Sequence, residues 1–134
     1  MDTGKSALGL DGNLAAALGY PIGILAIICL IMEKENRFVK FHALQSILLH
    51  VAFIIVIIAV WILGIILLFA GIAASAATNN GALGGLMSML FGLIWLVVIV
   101  AYLGGLIFAA VKAYGGIEFK LPVIGNMAEK FANK

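Results

Sequence analysis

Charge is what this chain lacks. From Phe41 to Val111 there is no Asp, Glu, Lys or Arg. A membrane helix needs about 20 apolar residues, so this stretch has room for two long ones. Only 10% of the residues are charged and 65% are hydrophobic, where a soluble domain has about a quarter and a half. A length of 134 residues suggests one domain. A body that small has too much exterior to hide so much apolar surface, so the bilayer is its solvent. Cys29 is the single cysteine, which excludes a disulfide within the chain. The net charge of +2, with no basic run, gives no reason to expect nucleic acid. The first ten residues lack the basic start, apolar core and small-residue site of a cleavable signal, so insertion is expected to use the first span.

What is present reads as an all-α integral membrane protein. Residues 1–12 are polar and glycine-containing and predict a mobile tail. Gly4-Lys5-Ser6 lacks the upstream glycine and the strand that a phosphate loop needs. A helical domain over 13–114 follows, with spans at about 13–32, 41–77 and 86–113. Asn13 is placed to cap the first, Pro21 to kink it near Gly19, and the Gly19/Gly23 pair to admit another helix. The second apolar run would be roughly 50 Å as one helix, longer than the hydrocarbon core. Asn79-Asn80-Gly81 marks the turn to the third. There Ala101, Gly105, Ala109 and Ala113 recur every fourth residue as a packing stripe. Tyr114-Gly115-Gly116 ends it. Residues 115–134 form an interfacial segment with a short amphipathic helix. Asn126 would cap that helix opposite Glu129, Ile124, Met127 and Phe131 would face lipid, and Lys130 and Lys134 would face water.

With three spans, seven of the eight basic residues fall on one side and only Lys5 on the other. The positive-inside rule then puts the N-terminus outside and the C-terminus in the cytoplasm.

The polar side chains gather in one place. His42, Gln45, Ser46 and His50 share an arc of about 140° on one helix face. Their plain reading is hydrogen bonding to another helix. A second is the lining of a polar path, with His50 as a proton-sensitive group. A metal is disfavoured, because His42 and His50 are about 12 Å apart along a straight helix and no span carries an acid. Ser46 and His50 stand i, i+4 but lack an orienting third group, so no enzyme, catalytic residue or cofactor is expected.

The run Arg37-Phe38-Val39-Lys40-Phe41-His42-Ala43-Leu44-Gln45-Ser46 resembles a known family. It looks like the small prokaryotic membrane proteins related to the twenty-kilodalton subunit of the chloroplast inner-envelope import translocon. Lys112, Gly116, Pro122 and Gly125, in the stretch from Val111 to Gly125, carry the same pattern, and Leu10-Asp11-Gly12-Asn13 also fits. The resemblance implies a multi-span helical protein; the plastid member is proposed to belong to a preprotein-conducting pathway. It also suggests a cluster at the cytoplasmic face, in which Arg37 and Lys40 meet lipid phosphates, Phe38 and Phe41 anchor the turn, and His42, Gln45 and Ser46 reach toward Lys120-Leu121-Pro122.

The sequence therefore predicts three long transmembrane helices plus a short C-terminal helix in a prokaryotic plasma membrane. The chain is expected to be a non-enzymatic subunit that self-associates or binds another membrane protein. The alternative is a transport or translocation component with a path near His50.

Overall fold

The computed structural model describes residues 3–133. Met1, Asp2 and Lys134 lie outside them, so the tail's first two residues and the water-facing role of Lys134 are not described. The described chain is all-helical, with α1 (Gly12–Leu18), α2 (Gly23–Met32), α3 (Arg37–Thr78), α4 (Ala82–Tyr114) and α5 (Ile124–Ala132). It forms two compact units. One holds the residues up to Ala52 together with Leu103 onward, and the other is Phe53–Tyr102.

Two helices, α3 and α4, are long and apolar enough to cross a membrane. The segment expected as a first span, 13–32, is instead two short helices. Pro21 has no N–H to donate and disfavours helical geometry at Tyr20, so α1 stops at Gly19 and α2 restarts after Ile22. The two helices pack as a hairpin, and a Cβ on Gly19 would lie 3.5 Å from that of Ala26. Gly19 and Gly23 flank the break and do not share one helical face.

The ends of this hairpin sit together. The Ala7 N–H donates to the Glu33 carboxylate at 2.7 Å, and Asn36 Nδ2 donates to the carbonyls of Thr3 (2.7 Å) and Lys5 (3.2 Å). Residues 3–12 are therefore tied down rather than loose, and a Lys5–Asp11 bridge closes them on themselves. Ser46 and His50 meet the hairpin at its bend. The Ser46 hydroxyl donates to the Gly19 carbonyl at 2.7 Å, and a Cβ on Gly23 would stand 3.4 Å from His50 Nε2. The segment thus climbs beside α3 from Arg37 to His50, about 20 Å, and returns.

The core of this unit is built on alanine. Ala15, Ala26 and Cys29 pack on Val39 and Ala43; Ala16 and Tyr20 pack on Ala109 and Ala113; Ala128 and Ala132 pack on Phe41. Small side chains let helix backbones approach closely, where contact rather than water exclusion holds them. Of the small-residue stripe on α4, Ala109 and Ala113 are buried, Gly105 is partly covered and Ala101 is exposed.

In the second unit α3 and α4 run antiparallel in a fixed register. Phe53 stacks on Tyr102 with ring centroids 3.8 Å apart, and Trp61 meets Trp95 edge-on at 6.1 Å. Gly64 receives the Phe91 ring, since a Cβ there would lie 2.5 Å from it, and Gly71 meets the backbone of Gly84. Gly64→Leu should therefore lower the thermal midpoint in detergent by the equivalent of about 1–3 kcal/mol, the usual cost of overpacking. Gly92→Leu, which meets nothing within 4 Å, should leave it nearly unchanged.

Candidate functional site

The polar residues converge at the base of α3, within the first unit. Asn36 caps α3, its Oδ1 accepting from the Val39 N–H at 3.2 Å. Glu33 adds acceptors for the N–H groups of Asn36 (3.0 Å) and Glu35 (3.4 Å). These three bonds fix where α3 begins and so aim the residues that follow. At the other end of the unit α4 closes in a Schellman motif. Gly116 (φ 71°) donates to the Ala113 carbonyl and Ile117 to that of Lys112, both at 2.9 Å. Only a residue at ease with positive φ can hold that position, which accounts for Gly116.

After Gly116 the chain runs as a strap, residues 117–122, past the base of α3. Gln45 is completely buried and holds it. Its Oε1 accepts from the Leu121 N–H at 3.0 Å, and its Nε2 donates to the Phe119 carbonyl at 3.0 Å. The carbonyl of one residue and the N–H two residues on are the pair that a neighbouring β-strand would engage, so the side-chain amide substitutes for a strand. Nε2 also donates to the Tyr20 hydroxyl at 2.7 Å, which lies 3.0 Å from His42 Nδ1. The two backbone partners fix the amide orientation. With the Tyr20 oxygen accepting from Gln45, its proton is available to His42 Nδ1. His42 Nε2 is buried without a hydrogen bond of ordinary geometry, with the Ile117 backbone as its electrostatic neighbour. Phe38, Phe41 and Tyr20 enclose the imidazole edge-on at 4.5, 5.0 and 5.9 Å.

Gly125 completes the clamp. A Cβ there would lie 2.6 Å from Lys120 Cα and 2.8 Å from Gln45 Oε1. Pro122 ends the strap, exposed, and Val123 (φ 64°) starts α5. Asn126 lies inside α5 rather than at its cap. Ile124 is partly covered, while Met127 and Phe131 are exposed. Glu129 turns instead to Lys120 at 2.8 Å and Arg37 at 3.8 Å, and Arg37 also donates to Glu118 at 2.8 Å and Asn133 at 2.5 Å. Lys112 stands over the Phe108 ring at 5.3 Å.

The structure thus brings together Arg37, Phe38, Phe41, His42, Gln45, Gly116 and Gly125. Ser46 bonds the bend of the α1–α2 hairpin rather than the strap. His50, half-buried, lies at that bend, and its Nδ1 is 2.7 Å from the Ser46 carbonyl. Sequence reasoning missed Tyr20, whose phenol in an apolar run beside Pro21 was a usable signal. It missed Asn36 and Glu33 as caps. It also placed Asn13 as a cap, whereas Asp11 precedes α1 and Asn13 Nδ2 donates to the Tyr114 carbonyl at 2.9 Å. Among the described residues no three His, Cys, Asp or Glu side chains are grouped to hold a metal.

Fold and site define a small helical membrane protein whose polar side chains fasten its own backbone. Residues 7–128 match the magnetosome magnetite crystal formation protein family, and the chain belongs to it. A UPF0132 membrane protein of Methanocaldococcus jannaschii is 38% identical over 130 residues, covering 96% of each chain. One from Archaeoglobus fulgidus is 37% identical over 123 residues, covering 88% of this chain and 92% of that one. A second from M. jannaschii is 32% identical over 126 residues, covering 93% and 73%. No solved structure matches. These matches bear out the prokaryotic membrane part of the resemblance and give the chloroplast translocon link no support.

Gln45→Leu would strand the Leu121 N–H and the Phe119 carbonyl at a partly buried site. Each such orphan costs about 1–3 kcal/mol. Trypsin should then cut after Lys120 faster, and the Leu121 amide should exchange faster, while α1 and α2 keep their protection.

The hydrogen bond from Lys120 holds the Glu129 carboxyl below the usual range; the charges of Lys120 and Arg37 add to this, and partial desolvation opposes it. A lowered folded value stabilises above the unfolded value and is lost as pH falls through the folded one. The midpoint difference between the wild type and Glu129→Gln should therefore be full at neutral pH and shrink on acidification below the carboxylate range.

Proposed function

We propose that the protein is a non-enzymatic membrane subunit, a long α3–α4 hairpin clamped at its cytoplasmic base, that works by lateral assembly with copies of itself or another membrane protein. The observation that carries this reading is the Gln45 clamp. The most buried polar side chains bond Tyr20, the strap and the α1–α2 bend, so they are spent on holding the fold. The description of the family, magnetite crystal formation, is carried to this chain only as far as a membrane scaffold, because among the described residues no grouped ligands point to iron.

In this reading the three expected crossings become two, α3 and α4, with α1–α2 a re-entrant hairpin of half depth. Lys5 then joins Lys34, Arg37, Lys40, Lys112, Lys120 and Lys130 on one side, which is a stronger positive-inside pattern than three spans give. N- and C-terminal segments both face the cytoplasm, and α5 lies at the lipid interface with Met127 and Phe131 outward. The conducting alternative rests on His50, whose ring sits against Gly23 at the bend.

In a Cys29→Ser background, single cysteines at Ala7, Asn80 and Lys130 are labelled with an impermeant maleimide on sealed vesicles of known orientation. Ala7 and Lys130 should label from the cytoplasmic side and Asn80 from the other. Ala7 labelling together with Asn80 would restore three crossings. A monomeric native mass with no co-purifying chain would overturn the assembly reading.

A further inference from the structure

The α1–α2 hairpin needs no water at its bend. The N–H groups of Gly19 and Ile22 donate to the Ala15 and Leu18 carbonyls, both at 3.1 Å, and the Ser46 hydroxyl of α3 donates to the Gly19 carbonyl at 2.7 Å. Irregular backbone survives at membrane depth only when its polar groups are met in this way. The segment from Gly12 to Met32 carries no charge, and Glu33, Lys34 and Glu35 follow it directly. α1 is covered along its whole length, whereas α2 turns Ile24, Ile27, Ile28 and Ile31 outward, the first and last being 69% and 73% exposed. This spacing, i, i+3, i+4, i+7, makes one apolar face. With charge confined to the hairpin's ends and none near its bend, acyl chains are what that face meets. We propose that the chain is a one-sided membrane insert: it prefers, and at high density imposes, a bilayer whose cytoplasmic leaflet is convex. The proposal rests on the half-depth reading of α1–α2 above and adds what that depth does to the membrane.

Three observations carry it. The first is length. α2 has 10 residues, about 15 Å of helix, which is half of a hydrocarbon core of about 30 Å. It therefore fills one leaflet and does not enter the other. The second is area. Two helices each about 10 Å across add on the order of 200 Å² to that leaflet. Among the described residues the second unit contains no helix besides α3 and α4, so nothing in it matches this addition. The third is the headgroup zone of the same leaflet. α5 lies there with Met127 and Phe131 exposed on its apolar edge and Lys130 exposed beside them, the pattern of a helix that lies in the interface. The hairpin spreads the acyl chains and α5 spreads the headgroups above them. On a flat bilayer this compresses one leaflet only. Bending that makes the cytoplasmic leaflet convex gives the added area room, so the chain is more stable there, and insertion of this kind is sensitive to curvature.

The test uses the full chain, at low density, in giant vesicles from which narrow lipid tubes are pulled outward. In a Cys29→Ser background, an impermeant fluorescent maleimide added outside labels only chains whose cysteine faces out. Label at Lys130→Cys marks chains with the cytoplasmic base outward, and label at Asn80→Cys marks the opposite orientation. Relative to a lipid dye, Lys130-labelled chains should be enriched about threefold in tubes of about 20 nm radius, and Asn80-labelled chains depleted. Ala7-labelled chains should follow Lys130. A spin label at Ile24 should be relaxed by dissolved oxygen, as acyl chains allow, and not by a water-soluble nickel chelate. Enrichment of both orientations alike overturns the proposal, because a one-sided insert sorts them oppositely. Absence of sorting in every arm overturns it as well, and the sidedness of Ala7 on oriented vesicles then decides the half-depth reading separately. Ala7-labelled chains that follow Asn80 restore three crossings and overturn both. An Ile24 label shielded from oxygen and nickel alike means that protein covers α2, whether a second copy or another chain, and overturns the proposal.

Discussion

Peptide groups outside a helix need partners, and near a bilayer water cannot be relied on to supply them. After Gly116 this chain leaves the helix while still packed against the base of α3. Gln45 answers the need from inside α3 by presenting an amide to the strap as a strand would. The rest of the clamp follows from that placement. Gly125 has no side chain because Gln45 and Lys120 occupy the space. Tyr20 turns inward to share the Gln45 donor. Arg37, about two turns of helix before Gln45, holds the same strap through Glu118.

The clamp depends in turn on where α3 starts. Asn36 and Glu33 cap α3 and also bind the N-terminal segment, so the same turn fixes the register of α3 and the position of residues 3–7. The alanine core transmits that register. With Ala15, Ala16, Ala109, Ala113 and Ala128 at the contacts, helix backbones lie close, and a larger side chain at any of them would push α3 away from its partners. Such a core has little hydrophobic area to lose. Its specificity comes from shape and from the hydrogen bonds of Gln45 and Ser46, an economy suited to a protein whose outer surface is already apolar.

Much of this was legible in the sequence, for definable reasons. A charge-free stretch from Phe41 to Val111 announces long membrane helices whatever their packing. The polar run from Arg37 to Ser46 stands out against apolar neighbours, and glycine before an extended stretch marks the end of α4. The break at Pro21 was visible as a kink, but its consequence was not. A kinked helix continues across the membrane and a broken one can turn back, and which occurs depends on contacts of Thr3, Lys5 and Ala7 with Asn36 and Glu33, far away in sequence. The role of Tyr20 was hidden likewise, because its partners His42 and Gln45 lie a helix away.

The two units use the same amino acids under different constraints. In the unit that holds the clamp, polar atoms decide the geometry and small residues permit it. In the unit of Phe53–Tyr102, few polar side chains are present and the register is set by ring stacking and by glycine notches. Gly64 receives Phe91, and Gly71 meets Gly84. There the Phe91 ring seated at Gly64 and the stack of Phe53 on Tyr102 hold the register. Directional bonds thus dominate the first unit, and the fit of rings and glycines dominates the second.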